Sequence, residues 1–250
     1  MFNKNQDQMK QTALITGASK RIGKALTEHL AEKGWNVAIH YNSSEKSVLD
    51  LVASLSAKYP DQKFAAFKAN LEEVLEVTQL VPNVVSAFGR IDLLVNNASV
   101  FDASYLKETT VELFDSQINV NLKAPFILVR DFSSLCKSGN IINFVDTRIT
   151  SNKSNFAAYS LSKKALWELT KMAALELAPN IRVNAIAPGV TLPPEDKDEN
   201  YLQKLAVGIP MKKPGGLDPI IKSFDFILNN NHLTGQLIFA DGGENLGLNA

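Results

Sequence analysis

Residues 143–166 read Asn143-Phe-Val-Asp-Thr-Arg-Ile-Thr-Ser-Asn-Lys-Ser-Asn-Phe-Ala-Ala-Tyr-Ser-Leu-Ser-Lys-Lys-Ala-Leu166. The stretch starts in an apolar run, 141–145, crosses a polar loop and enters a segment rich in Ala, Leu and Lys. A short apolar run followed by a helical period is a strand feeding a helix. Tyr159 and Lys163 are four apart, so on that helix they share one face, a turn from each other. An ammonium beside a phenol favours the phenolate and lowers its pKa toward working pH, which makes Tyr159 a candidate proton donor. The same spacing on an ordinary helix surface carries no chemistry, so the reading depends on the rest of the chain.

Outward from this stretch, apolar runs alternate with helical periods. Strands are expected over 12–16, 36–41, 64–67, 91–96, 141–145, 182–187 and 236–239, and helices over 22–33, 44–59, 74–88, 111–135, 156–177 and 219–228. Pro82 should kink or shorten the third helix, and a break in the fourth is expected near Pro125. Such alternation implies an α/β class: a seven-stranded parallel sheet with helices on both faces, doubly wound in the Rossmann manner. Ligands then lie at the carboxyl ends of the strands, near the point where strand order reverses. No repeat or linker divides 11–250, so one domain is expected, preceded by a disordered tail over 1–10. A charged, Pro/Gly-rich substrate loop occupies about 190–216.

Composition narrows the function. The 250 residues are 45% hydrophobic, enough for a full core in one large domain. Lys+Arg and Asp+Glu both number 26, which points to neither a nucleic-acid nor a membrane partner. The lone Cys136 excludes an intrachain disulfide or a Cys metal cluster, and the scattered His29, His40 and His232 argue against a His metal site. Residues 1–10 are polar and unlike a secretory signal, and no apolar run has the length of a membrane span, so a cytoplasmic protein is expected.

After the first strand comes Gly17-Ala18-Ser19-Lys20-Arg21-Ile22-Gly23. A glycine turn of this kind sets backbone N–H groups and a helix N-terminus under a pyrophosphate. Only two glycines are present, and Arg21 stands where a middle glycine is usual. The second strand ends His40-Tyr41-Asn42-Ser43-Ser44, with no acid before Glu45. An NAD site wants a carboxylate there for the ribose 2′-OH. Lys20 in the turn, with the Ser43 and Ser44 hydroxyls, suits a 2′-phosphate instead, so the expected cofactor is NADPH.

These residues, with Asn96-Asn97-Ala98, Asn121 in Val-Asn-Leu-Lys-Ala-Pro-Phe, Tyr159-x-x-x-Lys163 and Pro188-Gly189-Val190-Thr191, stand in order along 11–243. The chain resembles the short-chain dehydrogenase/reductases. The resemblance implies that Tyr159 donates a proton, that Lys163 binds the nicotinamide ribose and tunes Tyr159, and that Asn121 holds a relay water. The cofactor would lie along Gly17, Ser19–Gly23, His40–Ser44, Asn70, Leu71, Asn97–Ser99, Tyr159, Lys163 and Pro188–Thr191. A homotetramer built on the helices over 111–135 and 156–177 is also implied.

Three departures narrow the resemblance. Asp146 stands thirteen residues before Tyr159, where most members have Ser; Arg21 fills the middle-glycine site; and the Asn-Asn-Ala loop continues Ser99-Val100-Phe101. This combination is similar to pteridine reductases and bacterial dihydromonapterin reductases, as is the segment 200–212. It implies a pterin held by Arg21, Ser99, Phe101, Asp146 and Tyr159, with Phe101 stacked on the ring and Asp146 beside the Tyr. The chemistry is consistent: a carboxylate accepts paired ring N–H and amino donors, which a Ser hydroxyl cannot do. Two features depart from that group. Asn70 replaces the usual Asp at the end of the third strand, and 244–250 contains no Arg. A carbonyl reductase of 3-oxoacyl substrates and a non-catalytic NADPH-binding sensor are the alternatives.

Overall fold

A computed structural model describes residues 10–194 and 197–247. Residues 1–9 of the expected tail, Glu195-Asp196 of the substrate loop and residues 248–250 lie outside the described residues. The strands are β1 (Thr12–Ile15), β2 (Asn36–Tyr41), β3 (Phe64–Lys68), β4 (Leu93–Asn96), β5 (Gly139–Phe144), β6 (Ile181–Pro188) and β7 (Leu237–Ala240). They form one parallel sheet in the order β3-β2-β1-β4-β5-β6-β7. β1 and β4 are buried throughout, because a parallel sheet is covered on both sides by its crossovers.

The helices are α1 (Arg21–Glu32), α2 (Glu45–Lys58), α3 (Val74–Phe88), α4 (Val111–Ile118), α5 (Ala124–Leu135), α6 (Ala157–Leu177), α7 (Glu199–Ala206) and α8 (Asp218–Asn229). One face of the sheet carries α1, α2 and α8, whose Leu26, Leu30, Val48 and Phe224 pack on Ile15, Ile39 and Val95. The other carries α3, α5 and α6, with Leu80, Val84, Leu128, Phe132 and Ala173 on Leu14, Leu94 and Ile141. A buried polar chain fixes α6 to the sheet: Asn96 Nδ2 donates to Asn143 Oδ1, and Asn143 Nδ2 donates to Thr170 Oγ1, both at 2.8 Å. Among the described residues no helix is long and apolar enough to cross a membrane.

Pro82 does not shorten the third helix. α3 runs through Pro82 and ends only at Gly89, which takes the left-handed conformation (φ +80°). The proline forfeits one backbone hydrogen bond, and Leu80, Val81 and Val84 hold the helix on the core regardless. The fourth helix is interrupted just before Pro125, as expected, though by a different device. α4 and α5 are joined by a π-helical turn, Asn119–Lys123, and Pro125 sits in the first turn of α5, where a missing N–H is tolerated. The substrate loop contains a helix of its own, α7, started by the Asp198 carboxylate accepting from the Tyr201 N–H. The order reverses between β1 and β4, and the carboxyl ends of these strands open into the main cleft.

Candidate active site

The floor of the cleft is the turn after β1. Gly17 takes φ +61°, and a Cβ there would stand 3.0 Å from the Ala98 Cα; a Cβ on Gly23 would collide with the Gly17 carbonyl oxygen. Both positions therefore need glycine so that the start of α1 can close on the turn. Thr16 Oγ1 accepts from the Asn97 and Ala98 N–H groups, and Asn97 Nδ2 donates to the Thr16 and Gly17 carbonyls. The Asn97-Ala98 loop thus braces the turn from below. His40 braces it from β2. Its Nε2 lies 3.0 Å from the Ala69 carbonyl and so carries the proton, which leaves Nδ1 to accept from the Gly17 N–H. Burial lowers the His40 pKa to about 4, so the ring is neutral and acts as a strut.

Arg21 takes φ +53°, the left-handed region that side chains seldom adopt and that a glycine would adopt without strain. Its guanidinium is expected near the cofactor phosphates and the pterin. It lines the cleft, but it donates to the carbonyls of Pro193 (2.6 Å) and Leu192 (3.1 Å). In this state Arg21 ties the glycine turn to the substrate loop.

At the end of β5, Asp146 uses both carboxylate oxygens. Oδ1 accepts from the Arg148 N–H at 2.8 Å, capping the short 3-10 helix Thr147–Thr150, and Oδ2 accepts from the Tyr159 hydroxyl at 2.8 Å. Asp146 is thus both a loop cap and the partner of Tyr159. The expected lowering of the Tyr159 pKa is corrected. Burial pushes it well above the usual phenol range and the Asp146 charge and hydrogen bond add to this, while Arg148 and Ser99 act against it. Lys163 does not offset the effect, because its Nζ donates to the Phe144 carbonyl (2.9 Å) and lies 5.7 Å from the Tyr159 ring centroid. Burial lowers Lys163 itself to about 8, with the Asp146 charge opposing.

Asn121 lies in the π turn, fully buried. Its Oδ1 accepts from the Ser99 hydroxyl and the Val100 N–H, and its Nδ2 donates to the Val100 carbonyl, Gln117 and Ser162. The side chain is engaged with protein and does not face the cleft. It positions the Ser99–Phe101 loop, so the expected relay water is not a side-chain ligand in this arrangement.

Phe101 is half exposed and stacks on Phe156, with centroids 4.3 Å apart and planes 5° off parallel; Tyr159 meets it edge-on at 4.6 Å. The Arg148 guanidinium lies 4.2 Å from the Phe156 centroid. Phe156, Arg148 and Glu244 were absent from the sequence-based site and all line the cleft. Leu202, buried, and Leu205 and Tyr201 from α7 close its far side.

Of the remaining expected residues, Lys20, Ile22, Asn42, Leu71, Pro188, Gly189, Val190 and Thr191 line the cleft. Thr191 Oγ1 donates to the Gly189 carbonyl, and Asn70 Oδ1 accepts from the Glu72 N–H. Ser19, Tyr41, Ser43 and Ser44 are not among the lining residues. Tyr41 is buried with its hydroxyl toward Glu45, and Ser44 immediately precedes α2. The cleft encloses about 1420 Å³, above the ~300–1,000 Å³ of a single small-molecule site, so a dinucleotide and a substrate fit together.

A braced glycine turn at the strand-order switch and a Tyr–Lys pair on the helix after β5 define an oxidoreductase built for a nicotinamide cofactor. The chain belongs to the short-chain dehydrogenase family, whose model matches residues 11–202. The 3-oxoacyl-(acyl-carrier-protein) reductase FabG of Staphylococcus epidermidis is 32% identical over 243 residues, spanning 94% of this chain and 99% of that protein. Among solved structures, the FolM alternative dihydrofolate reductase 1 of Brucella canis, complexed with NADP, is 35% identical with a TM-score of 0.88, covering 96% of each chain. Its counterpart from Brucella suis, also with NADP, is 34% identical with a TM-score of 0.90, covering 96% of this chain and 97% of that one.

Proposed function

We propose that this chain is an NADPH-dependent reductase of a dihydropterin ring. NADPH supplies a hydride to the carbon of a ring C=N bond, and the nitrogen of that bond takes a proton. The observation that carries this reading is the Tyr159–Asp146 hydrogen bond within the cleft. Tyr159 holds a hydroxyl proton in the place where the family spends one, and the carboxylate beside it matches the N–H and amino edge of a pterin. Phe101, with Phe156 against it, offers an aromatic stack that a flat bicycle would join. NADPH rather than NADH is supported by the absence of a carboxylate at the end of β2, by Lys20 and Asn42 on the cleft wall, and by NADP in the Brucella neighbours. We extend the proposal to a homotetramer through α4–α5 and α6, whose Phe126, Leu161, Met172 and Leu175 are exposed in the single chain.

The likeness to 3-oxoacyl reductases of Staphylococcus favours a second reading, reduction of a ketone. NADPH oxidation against dihydromonapterin, dihydrobiopterin, dihydrofolate and a 3-oxoacyl thioester separates them. Turnover of a dihydropterin at least tenfold more efficient than that of the thioester is expected. Preference for the thioester would overturn the reading, and tight NADPH binding without turnover of any of them would favour a sensor.

A further inference from the structure

Phe101 is flanked in the chain by residues that α4 and the π turn after it hold in place. On one side, Asn121 Oδ1 accepts from the Ser99 hydroxyl and the Val100 N–H, both at 3.0 Å. On the other, the Asp102 carboxylate accepts from Gln117 Nε2 at 2.9 Å. Gln117 lies near the end of α4, fully buried, and its Oε1 accepts from Asn121 Nδ2 at 3.1 Å. The two holds are therefore one relay, Val100 to Asn121 to Gln117 to Asp102. Its ends fix its direction. A backbone N–H only donates, so the Asn121 atom facing Val100 is the oxygen; an ionised carboxylate only accepts, so the Gln117 atom facing Asp102 is the nitrogen. Further along, the Ser104 N–H donates to the Asn155 carbonyl (3.2 Å) and the Ala157 N–H to the Ser104 carbonyl (3.1 Å), on either side of Phe156. Phe101 itself makes no hydrogen bond among the described residues. Its ring is 53% exposed, so packing holds it only where it meets Phe156 and Tyr159. The placement of that ring depends on its flanks.

We propose that Gln117 is a positioning residue for Phe101: by tying Asp102 to Asn121 it fixes the loop that presents the ring to a flat heterocyclic substrate, an inference that rests on the dihydropterin reading. Gln117 is buried behind the loop and touches no substrate. It acts by ordering the aromatic wall before the substrate arrives, so that stacking does not have to supply the cost of ordering it.

The test is steady-state kinetics of the full chain with dihydrobiopterin, alongside a direct titration of NADPH. Gln117→Met keeps the length of the side chain and removes both polar ends. Asn121 Nδ2 retains the Val100 carbonyl and Ser162, and the exposed Asp102 turns to water, so no buried polar group is orphaned. The variant should raise the KM for dihydrobiopterin about fivefold, the worth of one hydrogen bond, with kcat and NADPH affinity within about twofold. Asp102→Ala cuts the same bond from the surface and serves if the Met variant does not fold. It should give the same rise, and the double variant should give no more than either single one. Asp102→Asn keeps an acceptor oxygen and should restore most of the native KM. In a Phe101→Leu background Gln117→Met should add nothing, because its effect passes through the ring. An unchanged KM in the soluble variants, or the same rise in the Phe101→Leu background, overturns the role of Gln117 and leaves the dihydropterin reading standing. A loss of NADPH affinity and thermal midpoint together with KM also overturns it, since the residue would then brace the fold. A native enzyme that reduces a 3-oxoacyl thioester and no pterin overturns both.

Discussion

Lys163, a buried cation in the cleft, should cost the fold stability, and Lys163→Met isolates that cost. The ammonium is almost fully buried, 2% exposed. Burial depresses its pKa from an ordinary 10.5 to about 8. Each pKa unit of that gap is worth about 1.4 kcal/mol, so holding Lys163 charged costs the folded state about 3 kcal/mol at pH 7. The sign follows from proton binding. Between pH 8 and 10.5 the unfolded chain binds more protons at this lysine than the folded chain, so stability rises with pH across that window. Met has similar length and no charge, but it leaves the Phe144 carbonyl without its donor, a loss of about 1 kcal/mol. The variant should therefore be about 2 kcal/mol more stable than native at pH 7, and its advantage should fall by about 2 kcal/mol by pH 9.5. Urea unfolding of both proteins at matched concentration, at pH 7 and 9.5, measures the difference. The Cys136 thiol, pushed up to about 11, titrates in both and cancels. A variant less stable than native at pH 7, with a difference flat in pH, would refute the reasoning.

Two further outcomes are expected. Arg21→Ala removes both hydrogen bonds to the substrate loop; amides of 190–194 and of α7 should then exchange hydrogen faster in the cofactor-free enzyme, and native exchange rates there would show that the latch holds nothing. Asp146→Ser can still cap the 3-10 helix but loses the charge and the paired acceptors, so kcat/KM for a dihydropterin should fall about a hundredfold at unchanged NADPH affinity, and native pterin kinetics would reduce Asp146 to a cap.

The sheet was legible because parallel strands buried on both faces appear as apolar runs, and all seven lie within a few residues of the expected positions. Local rules failed where tertiary packing decides. Pro82 is a helix breaker on its own, yet α3 is held on the sheet by the residues around it. The π turn has the composition of any helix, Asn119-Val-Asn-Leu-Lys123, so no local signal announces it. In the site, Tyr159 and Lys163 were read from their spacing and Asp146 from the family resemblance, and all three line the cleft. Spacing says nothing about where an ammonium points, and the direction of the Tyr159 shift turned on Lys163 meeting a carbonyl rather than the hydroxyl. Ser43 and Ser44 follow the correct strand but are not on the cleft wall. Glu244 had a signal that went unused: it follows the Gly242-Gly243 turn at the carboxyl end of the last strand, the edge where ligands of this architecture lie.

Under the proposed function, Asp146 sets a condition on catalysis that a serine would not. In the free enzyme the Tyr159 hydroxyl donates to a carboxylate, and burial together with that carboxylate makes the phenol a weak acid. Delivery of its proton would leave a phenolate 2.8 Å from Asp146, two like charges in a buried site. A donor-bearing substrate removes the obstacle. Under the proposed function its N–H and amino groups take over Asp146 Oδ2, the Tyr159 hydroxyl turns to the ring nitrogen, and the carboxylate's charge is spent on the substrate. Arg148 and Ser99, which already oppose the rise in the Tyr159 pKa, then act without that opposition. A ketone has no donor to offer and leaves Tyr159 bonded to Asp146. On that proposal, the residue that makes the chain atypical would tie proton delivery to the identity of the substrate. It predicts discrimination in kcat as well as in KM, because the wrong substrate fails to release the acid rather than merely failing to bind.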